Sequence, residues 1–345
     1  MLRFGYIKYI MKKVIFFEVD KSEEEFFQDH LGSKADLEFY KDRLLQDDVD
    51  NAKEADIVVC FVYSDLSTRI IDNVRNLKGI ATMSVGTDHI DLVEATKKHI
   101  VVSNVPSYGP QTVAEHALAL LLTISRNIIE SVERTKHGEY DYMGLKGIDL
   151  SGKTIGIIGT GKIGSLVARM AYGLNMKILA SDEHQNPELA EKWGLKYVDM
   201  PELFKNSDVI SLHVPMCPKN KYLLDEEQFK QIKRGAILIN TARGGLINPE
   251  ALIKALDDGT IYRAGIDVLE DEGLLKEERE LFSPYFKIKD YQLALADHVL
   301  MKHPSVIVTP HNAFNSVESH KNILRTTVAN IEGMLEGEPI NVVND

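Results

Sequence analysis

Residues 154–171 read TIGIIGTGKIGSLVARMA. An apolar run opens the stretch, Gly159, Gly161 and Gly164 follow in the spacing GxGxxG, and helix-forming residues continue from Lys162. A strand that passes through three glycines into a helix is suited to hold a pyrophosphate. The first glycine permits the tight turn, the second lets backbone approach the phosphates, the third lets helix pack on strand, and the helix N-terminus offers partial positive charge. Lys162 and Ile163 stand at the mouth of that helix. A bare glycine triplet is common in turns, so its surroundings must carry the reading. The next apolar run, KILASD, ends in Asp182, where a carboxylate can accept hydrogen bonds from adenosine ribose hydroxyls. The residues after it, EHQNP, include no lysine or arginine to receive a 2′-phosphate, so NAD is expected rather than NADP. The competing role for Asp182 is the N-cap of a helix beginning near NPELAEKW.

Apolar runs alternate with helical stretches on both sides of this motif. VIFFEV, ADIVVCFV, GIATMSV and IVVSNV form one series, and TIGIIG, KILASD, DVISLHV, AILIN, AGIDV and VIVTP form a second. Such alternation implies parallel sheets covered by helices. The expected architecture is therefore α/β, with two doubly wound parallel-sheet domains. A Rossmann NAD-binding domain, residues 110–312, is inserted in a flavodoxin-like substrate domain built from residues 11–109 and 313–345. A long helix over residues 112–136, apolar nearly all round in its first half, is expected to be buried between bodies. A last helix near residues 317–335 is expected to return to the first domain. Residues 1–10 read as an extension, with Met11 a candidate start.

The balance of 52 acidic against 40 basic side chains gives a net charge of -12, and no run of lysine and arginine is interleaved with aromatics. Nucleic acid and anionic membrane are poor partners for such a chain. The longest apolar stretch, HALALLLTI, is far short of the roughly 20 residues needed to span a bilayer. Cys60 and Cys217 form neither a disulfide framework nor a CxxC pair, which fits a reducing, cytoplasmic compartment.

A nicotinamide enzyme acting on an alcohol needs a proton acceptor and a group that polarises the carbonyl, and either a metal or side chains can serve. No cluster of metal ligands is evident in the sequence, so side-chain donors at strand ends are the candidates. Arg243 follows the apolar run AILIN, and its guanidinium fork could bind a carboxylate with two hydrogen bonds. His311 follows the last strand at a proline-forced turn and is the best-placed base. Glu270, Asp271 and Glu272 are candidates for the carboxylate that orients it, and spacing does not choose among them. His116, beside Glu115 on a helix, is no ready dyad, because neighbouring helical residues point about 100° apart. His213 reads as a buried structural histidine.

These residues stand in an order that resembles the D-isomer-specific 2-hydroxyacid dehydrogenases. The likeness runs through SVGTDHIDL, NVPSYGPQTVAEHALALLL, GTGKIG, SDVISLHVP, INTARGGLIN, AGIDVLEDE and VTPHNAF, and it is strongest to lactate-forming members. The resemblance implies that Arg243 binds substrate, that His311 is the acid–base group and that Glu272 partners it. It implies that Val85, Gly86 and Tyr108 line the substrate pocket, with Phe314 near the substrate side chain. It implies cofactor contacts at Lys162, Ile163, Asp182, Val214, Pro215, Asn220, Thr241, Ala242 and Asp267, beside the three glycines. It implies a homodimer, with the apolar helix after TVAEH in the interface, and reduction of a small 2-keto acid, pyruvate first, to the (R)-2-hydroxy acid. An insert over residues 274–304 is expected to be a loop. Gly244 and Gly245 are expected to keep the strand-end backbone clear of nicotinamide and substrate. The rival readings are a dehydrogenase for a branched-chain, aromatic or glyceric acid, and an NAD(H)-sensing binding protein.

Overall fold

The computed structural model describes residues 11–270 and 288–344. Glu272, the extension 1–10 and the first half of the 274–304 insert lie outside the described residues. The chain divides into two units, residues 1–109 with 316–345, and residues 110–315.

The first unit carries a five-stranded parallel sheet of order β2-β1-β3-β4-β5, the flavodoxin-like arrangement. Its strands are β1 (Lys13–Phe16), β2 (Asp36–Phe39), β3 (Ile57–Cys60), β4 (Gly79–Thr82) and β5 (Val101–Ser103). The central strands β3 and β4 are buried along their whole length, as strands covered on both faces must be. The connecting helices are α1 (Lys21–Leu31), α2 (Thr68–Asn73) and α3 (Leu92–Lys97).

The second unit begins with α4 (Pro110–Ser125) and α5 (Ile128–Lys136). The expected single helix over 112–136 is thus broken. Asn127 adopts a left-handed conformation with φ of 51°, and its side chain donates to the Leu145 carbonyl at 3.1 Å. Asparagine tolerates that conformation better than most residues, which is why the break falls there. Ala114, Ala117, Leu120, Leu121 and Ile124 of α4 pack into the core beside Ile155, Ile157, Ile237 and Ile239.

A seven-stranded parallel sheet follows: β6 (Thr154–Ile158), β7 (Lys177–Ser181), β8 (Lys196–Tyr197), β9 (Val209–Leu212), β10 (Ala236–Asn240), β11 (Ile261–Ile266) and β12 (Val306–Val308). Its order, β12-β11-β10-β9-β6-β7-β8, is that of a Rossmann sheet. The order reverses between β6 and β9, so a ligand crevice is expected at their carboxyl ends. The helices between these strands are α6 (Lys162–Gly173), α7 (Pro187–Trp193), α8 (Met200–Asn206), α9 (Glu226–Phe229), α10 (Pro249–Asp257) and α11 (Ile288–Lys302). The last of these corrects the expected 274–304 loop, because residues 288–302 are helical. Ala296 and Leu300 of α11 are buried, and Leu300 joins the core formed by α10 and the strands.

The final helix, α12 (Val317–Glu336), belongs to the first unit, where Ile323, Leu324, Val328 and Ile331 are buried. The chain then runs beside β5. The Val343 N–H donates to the Val102 carbonyl at 2.9 Å, and the Asn344 carboxamide oxygen accepts from the Val102 N–H at 2.8 Å.

Candidate active site

The glycine turn forms for three separable reasons. Gly159 has φ of 91°, and a Cβ there would lie 2.7 Å from the His213 carbonyl oxygen. A Cβ on Gly164 would lie 1.9 Å from the Gly159 carbonyl oxygen, so this glycine sets how closely α6 meets the turn. At Gly161, the residue that caps α6, a Cβ would meet nothing within 4 Å. That open space above the helix N-terminus suits a pyrophosphate approaching backbone N–H groups.

Asp182 follows β7 and is bound to the same turn. Its carboxylate accepts from the Thr160 N–H and hydroxyl and, at 2.8 Å, from the His184 N–H. Burial alone would raise this carboxyl, but those bonds outweigh it and hold the group below the usual aspartate value. The competing N-cap role is taken by Asn186, whose side chain accepts from the Glu188 N–H at 3.0 Å. Asp182 is thus an ionised carboxylate at the strand end beside the glycine turn, repulsive to a 2′-phosphate.

Parallel register sets the rest of the site. Asn240 of β10 pairs with Ile266 of β11, and Ile266 pairs with Val308 of β12. Arg243, Asp267 and His311 therefore leave the carboxyl ends of three adjacent strands, the outer two about 10 Å apart at the backbone. Two buried polar residues join them. The Asn240 side chain donates to the Arg243 carbonyl at 2.9 Å and accepts from the Ala242 N–H at 3.0 Å. The Asn240 carbonyl accepts from the Asp267 N–H at 2.9 Å.

Asp267 then gathers the next turn: its carbonyl accepts from the His311 N–H at 2.9 Å, and its carboxylate accepts from the Asn312 N–H at 3.0 Å and the Ala313 N–H at 2.8 Å. These bonds hold His311 at φ of 50°, a left-handed conformation uncommon outside glycine that neighbouring structure helps to maintain. Phe314 meets the His311 ring edge-on, with centroids 6.5 Å apart.

Gly244 and Gly245 face different neighbours. A Cβ on Gly244 would lie 2.1 Å from the Leu269 carbonyl carbon and 2.4 Å from the Glu270 nitrogen. The glycine thus lets the Arg243 turn lie against the segment leaving β11. A Cβ on Gly245 would meet Met216 Sδ at 2.6 Å, the far part of a flexible side chain. Glu270 is bound by Lys221 at 2.8 Å and by the Tyr222 hydroxyl at 2.9 Å. Burial first, then that bond to Glu270, pushes the Tyr222 phenol well above its usual value.

Three polar atoms at this edge are buried with no hydrogen-bond partner among the described residues: His213 Nδ1, Thr241 Oγ1 and Asn312 Oδ1. Buried polar atoms are normally paired, so their gathering at the ends of β9, β10 and β12 is what a polar cofactor would complete. Burial of the His213 ring pushes its pKa down to about 4, so the ring is neutral, and Nε2 lies 2.8 Å from the Ser211 hydroxyl. Val214 and Pro215 enter the following loop, which Asn220 closes by bonding the Pro215 carbonyl and the Cys217 N–H, both at 2.7 Å.

In the first unit, Val85 and Gly86 lie in the loop after β4. The Gly86 carbonyl accepts from the Ser84 hydroxyl at 2.6 Å, and the Val85 carbonyl accepts from the Asn104 side chain at 2.7 Å. Tyr108 lies beyond β5, and its carbonyl accepts from the Asn322 side chain at 3.1 Å.

Sequence reasoning missed Asn240, whose signal was a single polar residue closing the otherwise apolar run AILIN, and it missed that Asp267 organises the His311 turn. Among the described residues no group of three or more His, Cys, Asp or Glu is placed to hold a metal, and no helix is long and apolar enough to cross a membrane.

Comparison with known proteins places this geometry among relatives. Residues 118–313 match the model of the D-isomer specific 2-hydroxyacid dehydrogenase NAD binding domain. The chain is 36% identical over 307 residues to D-lactate dehydrogenase of Escherichia coli, covering 88% of this chain and 90% of that protein. It is 36% identical over 304 residues to glyoxylate reductase of Thermococcus litoralis, covering 86% of each. Its fold is similar to the crystal structure of D-lactate dehydrogenase from Aquifex aeolicus complexed with NAD and lactic acid, with a TM-score of 0.87, 34% identity, and coverage of 96% of this chain and 99% of that one.

Proposed function

The chain belongs to the D-isomer specific 2-hydroxyacid dehydrogenase family and carries its NAD-binding domain, and from that premise we propose that it reduces pyruvate to (R)-lactate and catalyses the reverse oxidation. When bound, the reduced nicotinamide supplies the hydride that reaches C2 of the keto acid. Arg243 binds the substrate carboxylate through its guanidinium fork and draws electron density from the C2 carbonyl. His311, as imidazolium, gives its proton to the carbonyl oxygen as the hydroxyl forms, and in the oxidative direction it takes that proton back. Glu272 is its proposed carboxylate partner.

Backbone N–H groups near Gly86, with Val85, Tyr108 and Phe314, are the proposed substrate contacts. The glycine turn, Lys162, Ile163, Asp182, Val214, Pro215, Asn220, Thr241, Ala242 and Asp267 are the proposed cofactor contacts. The observation that carries the reading is the pairing of Asn240 with Asp267, which fastens the Arg243 turn and the His311 turn to one another.

A nucleotide sensor would need the glycine turn but has no use for this second, strained turn. The similarity to a glyoxylate reductase supports glyoxylate as the alternative substrate. Consumption of NADH measured against a panel of 2-keto acids, with NADPH in parallel and the product resolved by chirality, separates these readings. Pyruvate is expected to be turned over fastest, with NADH preferred and the (R)-product formed. Tight NADH binding with no turnover of any 2-keto acid would favour the sensor.

A homodimer is also proposed. The apolar side chains of α4, the helix expected at the interface, are mostly spent on the core of the second unit, so the proposed contact surface is the segment after it, where Ile128, Val132, Tyr140, Tyr142 and Met143 are exposed.

A further inference from the structure

Asp267 is buried, its side chain wholly so, and it carries the turn on which His311 stands. Backbone N–H groups account for two of its bonds, and the Thr309 hydroxyl donates to Oδ1. A fourth neighbour comes from a different element. His116 of α4 brings its Nε2 to 3.1 Å from Thr309 Oγ1 and 3.4 Å from Asp267 Oδ1.

The tautomer follows from donor and acceptor counting. The single hydroxyl proton of Thr309 is spent on Asp267, so toward His116 its oxygen can only accept, and the carboxylate oxygen only accepts as well. His116 must therefore carry a proton on Nε2, shared between the two oxygens. The neighbouring Glu115 is not involved, since it takes a bond from Gln111 at 2.6 Å.

We propose that His116 is a positioning residue for His311: its Nε2–H fixes Thr309 and the Asp267 carboxylate, and through them the left-handed turn that aims the acid–base imidazole. The inference rests on the proposed role of His311, but the bond itself does not. Without this donor the Thr309 hydroxyl and Asp267 Oδ1 lose their connection to α4. The turn then keeps its bonds to Asp267 but loses the tie that fixes that carboxylate to α4, and small displacements of a reacting group are costly in rate.

Two measurements test it. In protein labelled with nitrogen-15 at histidine, His116 is expected as the Nε2–H tautomer, and an Nδ1–H tautomer would overturn the inference. His116→Leu is expected to lower kcat by about 10- to 100-fold with little change in NADH Kd, while His116→Gln, which places an amide N–H near the same point, is expected to restore most of the loss. A Leu variant with wild-type kcat, or a Gln variant no better than Leu, would also overturn it. Should the wild type turn over no 2-keto acid, the proposed reaction fails. The tautomer and the His311 ring resonances, expected to shift in His116→Leu and not in His116→Gln, still decide the positioning.

Discussion

Gly244 is where a single added carbon conflicts most directly with the site. Its missing Cβ would overlap the backbone of Leu269 and Glu270, which cannot turn aside as a side chain could. Gly244→Ala should therefore separate the Arg243 turn from the end of β11 and cost about 1–3 kcal/mol of stability, the usual range for overpacking. Because Arg243 is the preceding residue, kcat/KM should fall about tenfold or more. Gly245→Ala meets only the Met216 sulfur and should cost much less. Urea unfolding and initial rates on both variants check this, and equal effects at the two glycines would contradict it. The sequence suggested one shared role for the pair, since pattern reading cannot see which backbone lies opposite a glycine. Arg243, His311 and the glycines of the β6–α6 turn stood out in the sequence as residue types at strand ends, and the structure puts them at the ends of β10, β12 and β6. Asn240 was not singled out, because its work is to bond backbone within its own turn.

At the scale of elements, long apolar strands and the glycine-turn helix were readable because their burial leaves continuous apolar runs. The elements that escaped were those whose cause is local or tertiary. The strands β2 and β8 lie at sheet edges and are only four and two residues long, too short for the polar–apolar alternation of DLEF or KY to stand out. The break between α4 and α5 depends on one asparagine in a left-handed conformation that a helical periodicity does not register. The helix α11 has little amphipathic character, yet buries Ala296 and Leu300, the latter in the core formed with the sheet. Strand order also lay beyond the sequence. Only the register of β10, β11 and β12 shows that Arg243 and His311 stand two strands apart with Asp267 between them.

At the scale of the whole molecule, two doubly wound units were foreseeable from the repeated alternation of strand and helix, and the return of α12 to the first unit from the absence of a sheet for it to close. Self-association is a property of this scale. Sedimentation equilibrium is expected to give twice the mass of the chain, and Tyr142→Glu with Met143→Glu is expected to shift it toward the monomer. A wild type that sediments as a monomer would contradict the dimer. The central claim is that one cation and one imidazole on adjoining turns bind and protonate a 2-keto acid. The most direct test is kcat/KM for pyruvate in Arg243→Gln, with NADH Kd measured on the same sample. A loss of about 100- to 1,000-fold in kcat/KM is expected, the scale of removing a charge-stabilising donor, while NADH binding stays near wild type. Unchanged kcat/KM would contradict it.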